Sequence, residues 1–373
     1  MENACLSMWL NQLILTNYKN YEWEEFNFNP VINCFTGLNG MGKTNLLDAI
    51  YYLSMTKSYI STNDSLVSRF NTDYFRLEGH YNRLEQYEKI VAKVQPNKAK
   101  VFEVNLNPLN KLSEHIGFLP VVFIAPDDIS IIMEGSELRR KFLDNTLAQT
   151  NTTYLSHLLH YNRVLHQRNA YLKQIASEKT TDAILLDIYD GQLEKPAAYI
   201  HHARTEFLKQ FNPVFNEIYQ KISNDKETVG VEYQSKLDGD SLLNLLSFNK
   251  KRDVFLQRTS VGIHKDDLLF TLEENPLKKY ASQGQRKSFL LAIKLAQFTF
   301  LKNCLGINPI LLLDDIFDKL DPFRVQSLIN HLITNFKGQI FISDTHNHRI
   351  PGMLTDLGVS HLHKEIIDGK WKK

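Results

Sequence analysis

The alternation of apolar and polar positions divides the chain into a strand-rich beginning, a helical middle and a mixed closing third. Residues 10–36 alternate in short bursts, with Leu13 and Leu15, then Phe26 and Phe28, then Ile32 on the apolar phase, which predicts strands. The run Val31-Ile32-Asn33-Cys34-Phe35 reads as a strand, and after it Leu46, Leu47, Ile50, Tyr51 and Leu53 share one face of a helix. Further strands are expected over 75–79, 89–94 and 101–104, with a turn at Pro96-Asn97, and over 121–124, ending at Pro126. From 135 to 222 glycine and β-branched runs thin out, and 139–147, 154–176 and 184–219 read as helices. Pro196 and Pro213 interrupt the last of these and no sustained heptad is legible, so a long coiled coil is not expected. Strand character returns at Gly230-Val231-Glu232-Tyr233. Phe289, Leu290, Ile293, Leu295, Ala296 and Phe298 mark a strong helix. The wholly apolar Pro309-Ile310-Leu311-Leu312-Leu313 predicts a buried parallel strand, with a helix over 322–336 and a second buried strand over 339–343.

Between the strand at 31–35 and its helix stands Gly37-Leu38-Asn39-Gly40-Met41-Gly42-Lys43-Thr44, a full match to the phosphate-loop pattern in the strand–loop–helix setting that pattern requires. Glycines let several backbone N–H groups turn inward on phosphate oxygens, and the helix N-terminus adds positive potential. Lys43 is positioned to reach the β- and γ-phosphates of ATP, and the Thr44 hydroxyl to ligate Mg²⁺. Asp314, at the end of a buried strand, supplies the carboxylate that such sites use to hold a Mg²⁺-bound water opposite the threonine. Asp315 is the candidate to polarise the attacking water, and with Lys43 it forms the expected catalytic pair. ATPases of the ABC class usually carry Glu at that position, and the shorter Asp predicts slow turnover.

Ser282-Gln283-Gly284-Gln285-Arg286 precedes the helix marked by Phe289. A serine N-cap and a glycine backbone at a helix start make a second anion site. The phrase resembles the signature motif of ABC-type ATPases, with Gln283 in place of the first Gly. In that class the signature of one subunit closes over the γ-phosphate held by another, which gives Ser282, Gly284 and Gln285 a nucleotide-contacting role and implies an ATP-dependent homodimer. Asp318-Lys319-Leu320-Asp321 looks like the D-loop of the same interface. In Ser343-Asp344-Thr345-His346 the class's switch histidine aligns with Asp344, and His346, two residues later, is the alternative γ-phosphate sensor.

Composition narrows the field without deciding it. The 373 residues are 43% hydrophobic and 23% charged, with a formal net charge of +1, so a nucleic-acid surface has to be a local patch. The three cysteines, Cys5, Cys34 and Cys304, have no metal-ligand spacing, and no disulfide framework is expected. No run of 18 apolar residues suggests a membrane span, and the first residues lack a signal-peptide pattern, which points to a cytoplasmic protein. The patterned sequence begins at Trp9, making Met8 an alternative start.

The loop at 37–44 and the serine-led helix at 282 lie much farther apart than in transporter ATPase domains, so an inserted domain is expected. That arrangement, with its local wording, closely resembles the RecF family of bacterial replication and recombination-repair ATPases. The matching phrases include Leu15-Thr16-Asn17-Tyr18-Lys19-Asn20-Tyr21, the loop and helix from Gly40 to Leu53, Lys57-Ser58, Pro126-Asp127-Asp128-Ile129, Glu137-Leu138-Arg139-Arg140-Lys141-Phe142-Leu143-Asp144, Gln167-Arg168-Asn169, residues 262–268, and residues 312–321. Met41 stands where the family often has Gln, Asp48 where it often has Glu, and Tyr59-Ile60 departs from an aromatic or His followed by Arg. The resemblance implies an α/β fold: an ABC-type ATPase head with a mixed sheet flanked by helices, built from 1–125 and 255–373, plus a mainly helical inserted lobe at 126–254. It also implies ATP-dependent dimerisation on DNA at junctions between duplex and single strand, action with RecR and RecO proteins at gaps, support of the SOS response, and a nucleoid-associated location. Lys57, Arg69 and the cluster Arg139-Arg140-Lys141 are the candidate DNA contacts, with Lys250-Lys251-Arg252 as another cluster. Arg139 and Arg140 have a structural alternative in packing the insertion.

The competing readings are another ABC- or SMC-like ATPase of defence or chromosome maintenance, a small-molecule kinase, and an ATP-gated clamp with little turnover. Asp127-Asp128 and Asp266-Asp267 also raise two-metal nuclease chemistry, against which stand ordinary turn and cap roles.

Overall fold

A computed structural model describes residues 8–178, 183–223, 227–317 and 322–371. The chain forms two compact units. One comprises the described residues as far as Asp128 together with those from Lys294 onward, and the other runs from Ile129 to Ile293. The return to the first unit thus comes at Lys294, inside a helix, and not near 255, because residues 255–293 contribute a strand pair and a helix start to the second unit.

The first unit opens with strands β1 (Met8–Tyr18), β2 (Tyr21–Asn27) and β3 (Ile32–Thr36) and helix α1 (Lys43–Met55). Strands β4 (Phe75–Arg83), β5 (Gln86–Val94), β6 (Val101–Val104), β7 (Asn107–Pro108) and β8 (Val121–Ile124) follow. The expected mixed sheet is one of two. An antiparallel sheet has the order β2-β1-β4-β5-β6-β7, and α1 packs against both sheets. Sequence spacing gave α1 one apolar face, but it is buried on nearly every side, from Leu46 to Met55. Its one carboxylate, Asp48, is fully buried and accepts from the Tyr18 hydroxyl (2.8 Å), the Ser58 hydroxyl (2.8 Å) and the Tyr59 N–H (2.7 Å), so the charge is met by three donors.

The second unit holds α2 (Ser130–Met133), α3 (Ser136–Thr150), α4 (Thr152–Glu178), α5 (Ala183–Ser223), β9 (Val229–Gln234), α6 (Leu242–Leu256), β10 (Asp267–Leu272), β11 (Asn275–Pro276) and α7 (Leu277–Tyr280). Strands β9, β10 and β11 make a small antiparallel sheet. Helix α5 continues through Pro196 and Pro213 for 41 residues, where the sequence suggested interruption. Each proline removes one backbone hydrogen bond, which burial along the whole helix outweighs. The buried positions 186, 190, 193, 197, 200, 204, 207 and 211 alternate in steps of four and three, a coiled-coil-like seam that the hydrophobic pattern concealed because Asp190 and Arg204 occupy two of its positions. On α4, Arg168 meets Asp190 at 2.6 Å while Tyr154 meets Arg204 at 3.2 Å, so the two helices run antiparallel.

Helix α8 (Gln283–Leu305) carries the chain from one unit into the other. It is the one described helix long and apolar enough to cross a membrane, and 67% of its most apolar stretch is buried inside the protein. The chain then completes the first unit with β12 (Ile310–Asp314), α9 (Pro322–Asn335), β13 (Ile340–Asp344), α10 (Arg349–Asp356), β14 (His361–Ile367) and β15 (Lys370–Trp371). The second six-stranded sheet has the order β15-β14-β3-β13-β12-β8, parallel except for β15. Early strands β3 and β8 are therefore interleaved with late ones in it, and the loops after β3, β12 and β13 leave the same edge, where α/β sheets bind ligands.

Candidate nucleotide site

The phosphate loop joins β3 to α1 and is shaped by its glycines. Gly37, Gly40 and Gly42 have φ of 137°, 82° and 114°, backbone that side-chain-bearing residues avoid. A Cβ on Gly42 would come within 2.7 Å of the Asn20 amide and 2.9 Å of the Tyr21 hydroxyl. These two residues hold the loop from outside: Asn20 Nδ2 donates to the Met41 carbonyl at 3.1 Å and the Tyr21 hydroxyl to the Gly42 carbonyl at 3.0 Å. From the opposite end of the sequence, the Gly369 N–H donates to the Met41 carbonyl at 3.0 Å. The turn after β1 and the turn after β14 thus support one loop, an arrangement that motif reading did not reveal. The only hint was the Tyr18-Lys19-Asn20-Tyr21 phrase.

Inside the loop, Lys43 is buried and its Nζ donates to the carbonyls of Gly37 (2.6 Å) and Leu38 (2.9 Å). Burial pulls its pKa down, and the carboxylates of Asp315, Asp314 and Asp344 pull it back up. All three acids stand at or just beyond the ends of β12 and β13. Thr44 Oγ1 donates to Asp314 Oδ1 at 3.0 Å, and the Ser343 hydroxyl donates to the same oxygen at 2.6 Å. Burial raises the Asp314 pKa, its two hydroxyl donors and Lys43 oppose that shift, and the negative charge of Asp127 adds to it. Asp315 has a left-handed backbone (φ 45°), and its N–H donates to the Ser343 hydroxyl at 2.9 Å. Ser343, which in sequence ends a strand and opens the switch phrase, therefore holds both the Asp314 carboxylate and the Asp315 backbone.

The Asp344–His346 ambiguity divides along structural lines. Asp344 is buried and bound by Arg349 through Nη2 (2.6 Å) and Nε (2.9 Å), and it accepts the His346 N–H at 3.1 Å. His346 is exposed. Residues 318–321, the D-loop candidate, lie outside the described residues.

In the second unit, Ser282 caps α8 reciprocally: its hydroxyl accepts the Gln285 N–H at 3.2 Å, and Gln285 Oε1 accepts the Ser282 N–H at 2.7 Å. This is a capping box with Gln as the return partner. Gln285 Nε2 also donates to Glu227 at 2.8 Å, which fixes the side chain. Ser282 and Gln283 are exposed and Gly284 partly so, leaving a 23-residue helix with an open N-terminal end.

The candidate DNA contacts separate in the same way. Arg139 forks onto Asp267 (2.6 and 3.0 Å) and also donates to the Ile131 and Glu134 carbonyls. Arg140 donates to Ser136 and to the Asp266 carbonyl. Both guanidinium groups are thereby occupied in the packing of their own unit, the structural alternative. Lys141 pairs with Glu137 one turn away, and Lys250 with Asp187. Lys57 is exposed, and Arg69 pairs loosely with Glu22 at 3.3 Å.

The acidic pairs have structural employment. Asp128 accepts the Ala125 N–H (2.9 Å), bonds to the Tyr59 hydroxyl and pairs with buried Lys294 (3.0 Å). Asp266 accepts from Arg204, Tyr233 and Ser235. Among the described residues no group of three or more His, Cys, Asp or Glu is arranged to hold a metal.

The chain matches the family described as the RecF/RecN/SMC N-terminal domain over residues 9–368. It is 46% identical over 342 residues to a Flavobacterium johnsoniae protein named DNA replication and repair protein RecF, covering 92% of this chain and 95% of that one. Its fold superposes on a structure described as the recombination mediator protein RecF with ATP in the RecFOR pathway, with a TM-score of 0.89, 30% identity and full coverage of both chains. An Smc head domain from Pyrococcus furiosus shares the fold at 15% identity and a TM-score of 0.55, covering 98% of this chain and 95% of that one. The glycine loop, the acid-ended central strand and these likenesses along nearly the whole sequence agree: the chain belongs to the RecF family of DNA replication and repair proteins.

Proposed function

We propose that the protein is an ATP-controlled DNA-binding switch of recombinational repair and replication. ATP sits on residues 37–44, with Lys43 on its β- and γ-phosphates. The observation that carries this reading is the Thr44 hydroxyl bonded to Asp314 beside Lys43. A hydroxyl and a carboxylate are hard oxygen donors, and two of them suit Mg²⁺, whose other positions come from phosphate and water. Thr44 and Asp314 would hold that ion, which neutralises charge on the terminal phosphates. Asp315 orients the attacking water, and the short side chain keeps turnover slow. His346 is the γ-phosphate sensor, because Asp344 is committed to Arg349.

In this reading Ser282, Gly284 and Gln285 of one copy contact the triphosphate held by another, so ATP joins two copies and hydrolysis releases them. The dimer engages DNA at single-strand/duplex junctions through surface cations such as the exposed Lys57 and Lys141 and the half-exposed Arg69, acts with RecR and RecO, supports the SOS response, and works in the cytoplasm at the nucleoid. Sedimentation with and without ATP tests it. The parent protein should dimerise only with ATP, Lys43→Ala should fail to bind nucleotide, and Ser282→Arg should bind nucleotide yet stay monomeric. Dimerisation of Ser282→Arg at parental ATP concentrations would refute the trans arrangement.

A further inference from the structure

Helix α6 carries two phenylalanines that the folded chain leaves almost bare. Phe248 is 90% exposed and Phe255 85% exposed. They lie seven residues apart, with Arg252 between them, so all three project from one side of the helix. The opposite side is fixed. Leu242 and Leu246 are buried, and the buried Asp253 carboxylate accepts from Arg168 Nη1 (2.8 Å), the Ser260 N–H (2.9 Å) and the Ser260 hydroxyl (2.6 Å). Rolling α6 to hide the phenylalanines would expose those leucines and strip a buried carboxylate of its donors, so the bare face belongs to the fold.

Its charge selects the occupant. Residues 242–258 contain four cations, Lys250, Lys251, Arg252 and Arg258, and one acid, Asp253, which is buried. Among the described residues Lys251 and Arg252 have no ionic partner. A helix that offers aromatic, arginine and aromatic at successive turns matches the way amphipathic helices enter a groove on another protein, and Phe and Arg are residues enriched in interface centres. Nucleic-acid stacking platforms require a surface on which consecutive bases lie flat, whereas these two rings are separated by about 10 Å along the axis with a guanidinium between.

We infer that the Phe248–Arg252–Phe255 face of α6 is the docking surface for a partner protein that presents an apolar groove rimmed by carboxylates. The inference deepens the proposed action with RecR and RecO and rests on that reading. It makes α6 the anchor of the assembly and leaves the phosphate loop to control DNA.

The test uses the full chain with purified RecR and RecO of the same organism, each immobilised in turn, with ATP and gapped DNA present. Phe248→Ser/Phe255→Ser and Arg252→Glu should each weaken binding of one of the two proteins by about tenfold or more. Unfolding temperature and ATP affinity should be unchanged, and the Arg252→Glu loss should shrink as salt rises. Parental binding of both proteins by both variants overturns the inference. Failure of the unaltered protein to bind either one overturns the partner reading and this inference with it. Loss of single-stranded DNA binding or of ATP-dependent self-association, with RecR and RecO binding intact, reassigns the face to nucleic acid or to a second copy and equally overturns it.

Discussion

Thr44 Oγ1 lies 3.0 Å from Asp314 Oδ1, joining the first turn of α1 to the end of a strand 270 residues later. Because the same carboxylate oxygen accepts from Ser343, its orientation is fixed before any ligand arrives. Thr44→Ala and Asp314→Asn should each lower Mg²⁺-dependent ATP affinity by about tenfold or more, with little change in affinity measured in EDTA. Calorimetric titration with and without Mg²⁺ checks this, and equal losses in both conditions would remove Mg²⁺ from the explanation.

Gly42 leaves no room for a side chain in the loop. Alanine there meets both a left-handed backbone and the Asn20 and Tyr21 side chains. Gly42→Ala should abolish nucleotide binding while costing roughly 2 kcal/mol of stability. Tyr21→Phe removes only the bond to the Gly42 carbonyl and should cost about 1 kcal/mol, with a smaller loss of affinity. Urea unfolding beside nucleotide titration separates the two effects.

Arg168 is fully buried, bonded to Asp190 on α5, Asp253 on α6 and the Thr259 hydroxyl. Arg168→Leu leaves two buried carboxylates without their cation and should destabilise the second unit by about 3–5 kcal/mol. Replacing Arg168, Asp190 and Asp253 together by apolar residues should recover much of that loss, since no charge is then left buried alone. Denaturant midpoints for the single and triple variants measure the difference, and equal midpoints would contradict the proposed cause.

Two histidines, His115 buried and His264 half-buried, make stability fall in mild acid. His115 in the first unit and His264 in the second have pKa values pushed down to about 4, chiefly by burial. Unfolded, each titrates near the ordinary 6.5. Between those values the unfolded chain binds protons that the folded chain excludes, so stability is full above pH 6.5 and declines as pH falls toward 4, by about 3 kcal/mol per histidine. His264→Gln should flatten part of that slope. Thermal unfolding across this range, with parent and variant in parallel, provides the comparison.

Some of this was fixed locally and is legible along the chain. The glycine loop, the apolar strands ending at Asp314 and at Ser343-Asp344, and the serine that begins α8 are short-range patterns, because phosphate cradles, buried parallel strands and helix caps each require particular residues at adjacent positions. What the pattern could not give was which polar residues would be taken inside. Asp190 and Arg204 look like breaks in a helix seam until Arg168, Tyr154 and Asp144 are brought against them, and Arg139 and Arg140 look like a basic patch until Asp267 and the Asp266 carbonyl use up their donors. A charge reads the same in sequence whether water or a partner satisfies it. Only the tertiary structure supplies the partner, and so only the fold decided that Asp344 is tied down by Arg349, that Asn20, Tyr21 and Gly369 brace the phosphate loop, and that Phe248 and Phe255 remain bare.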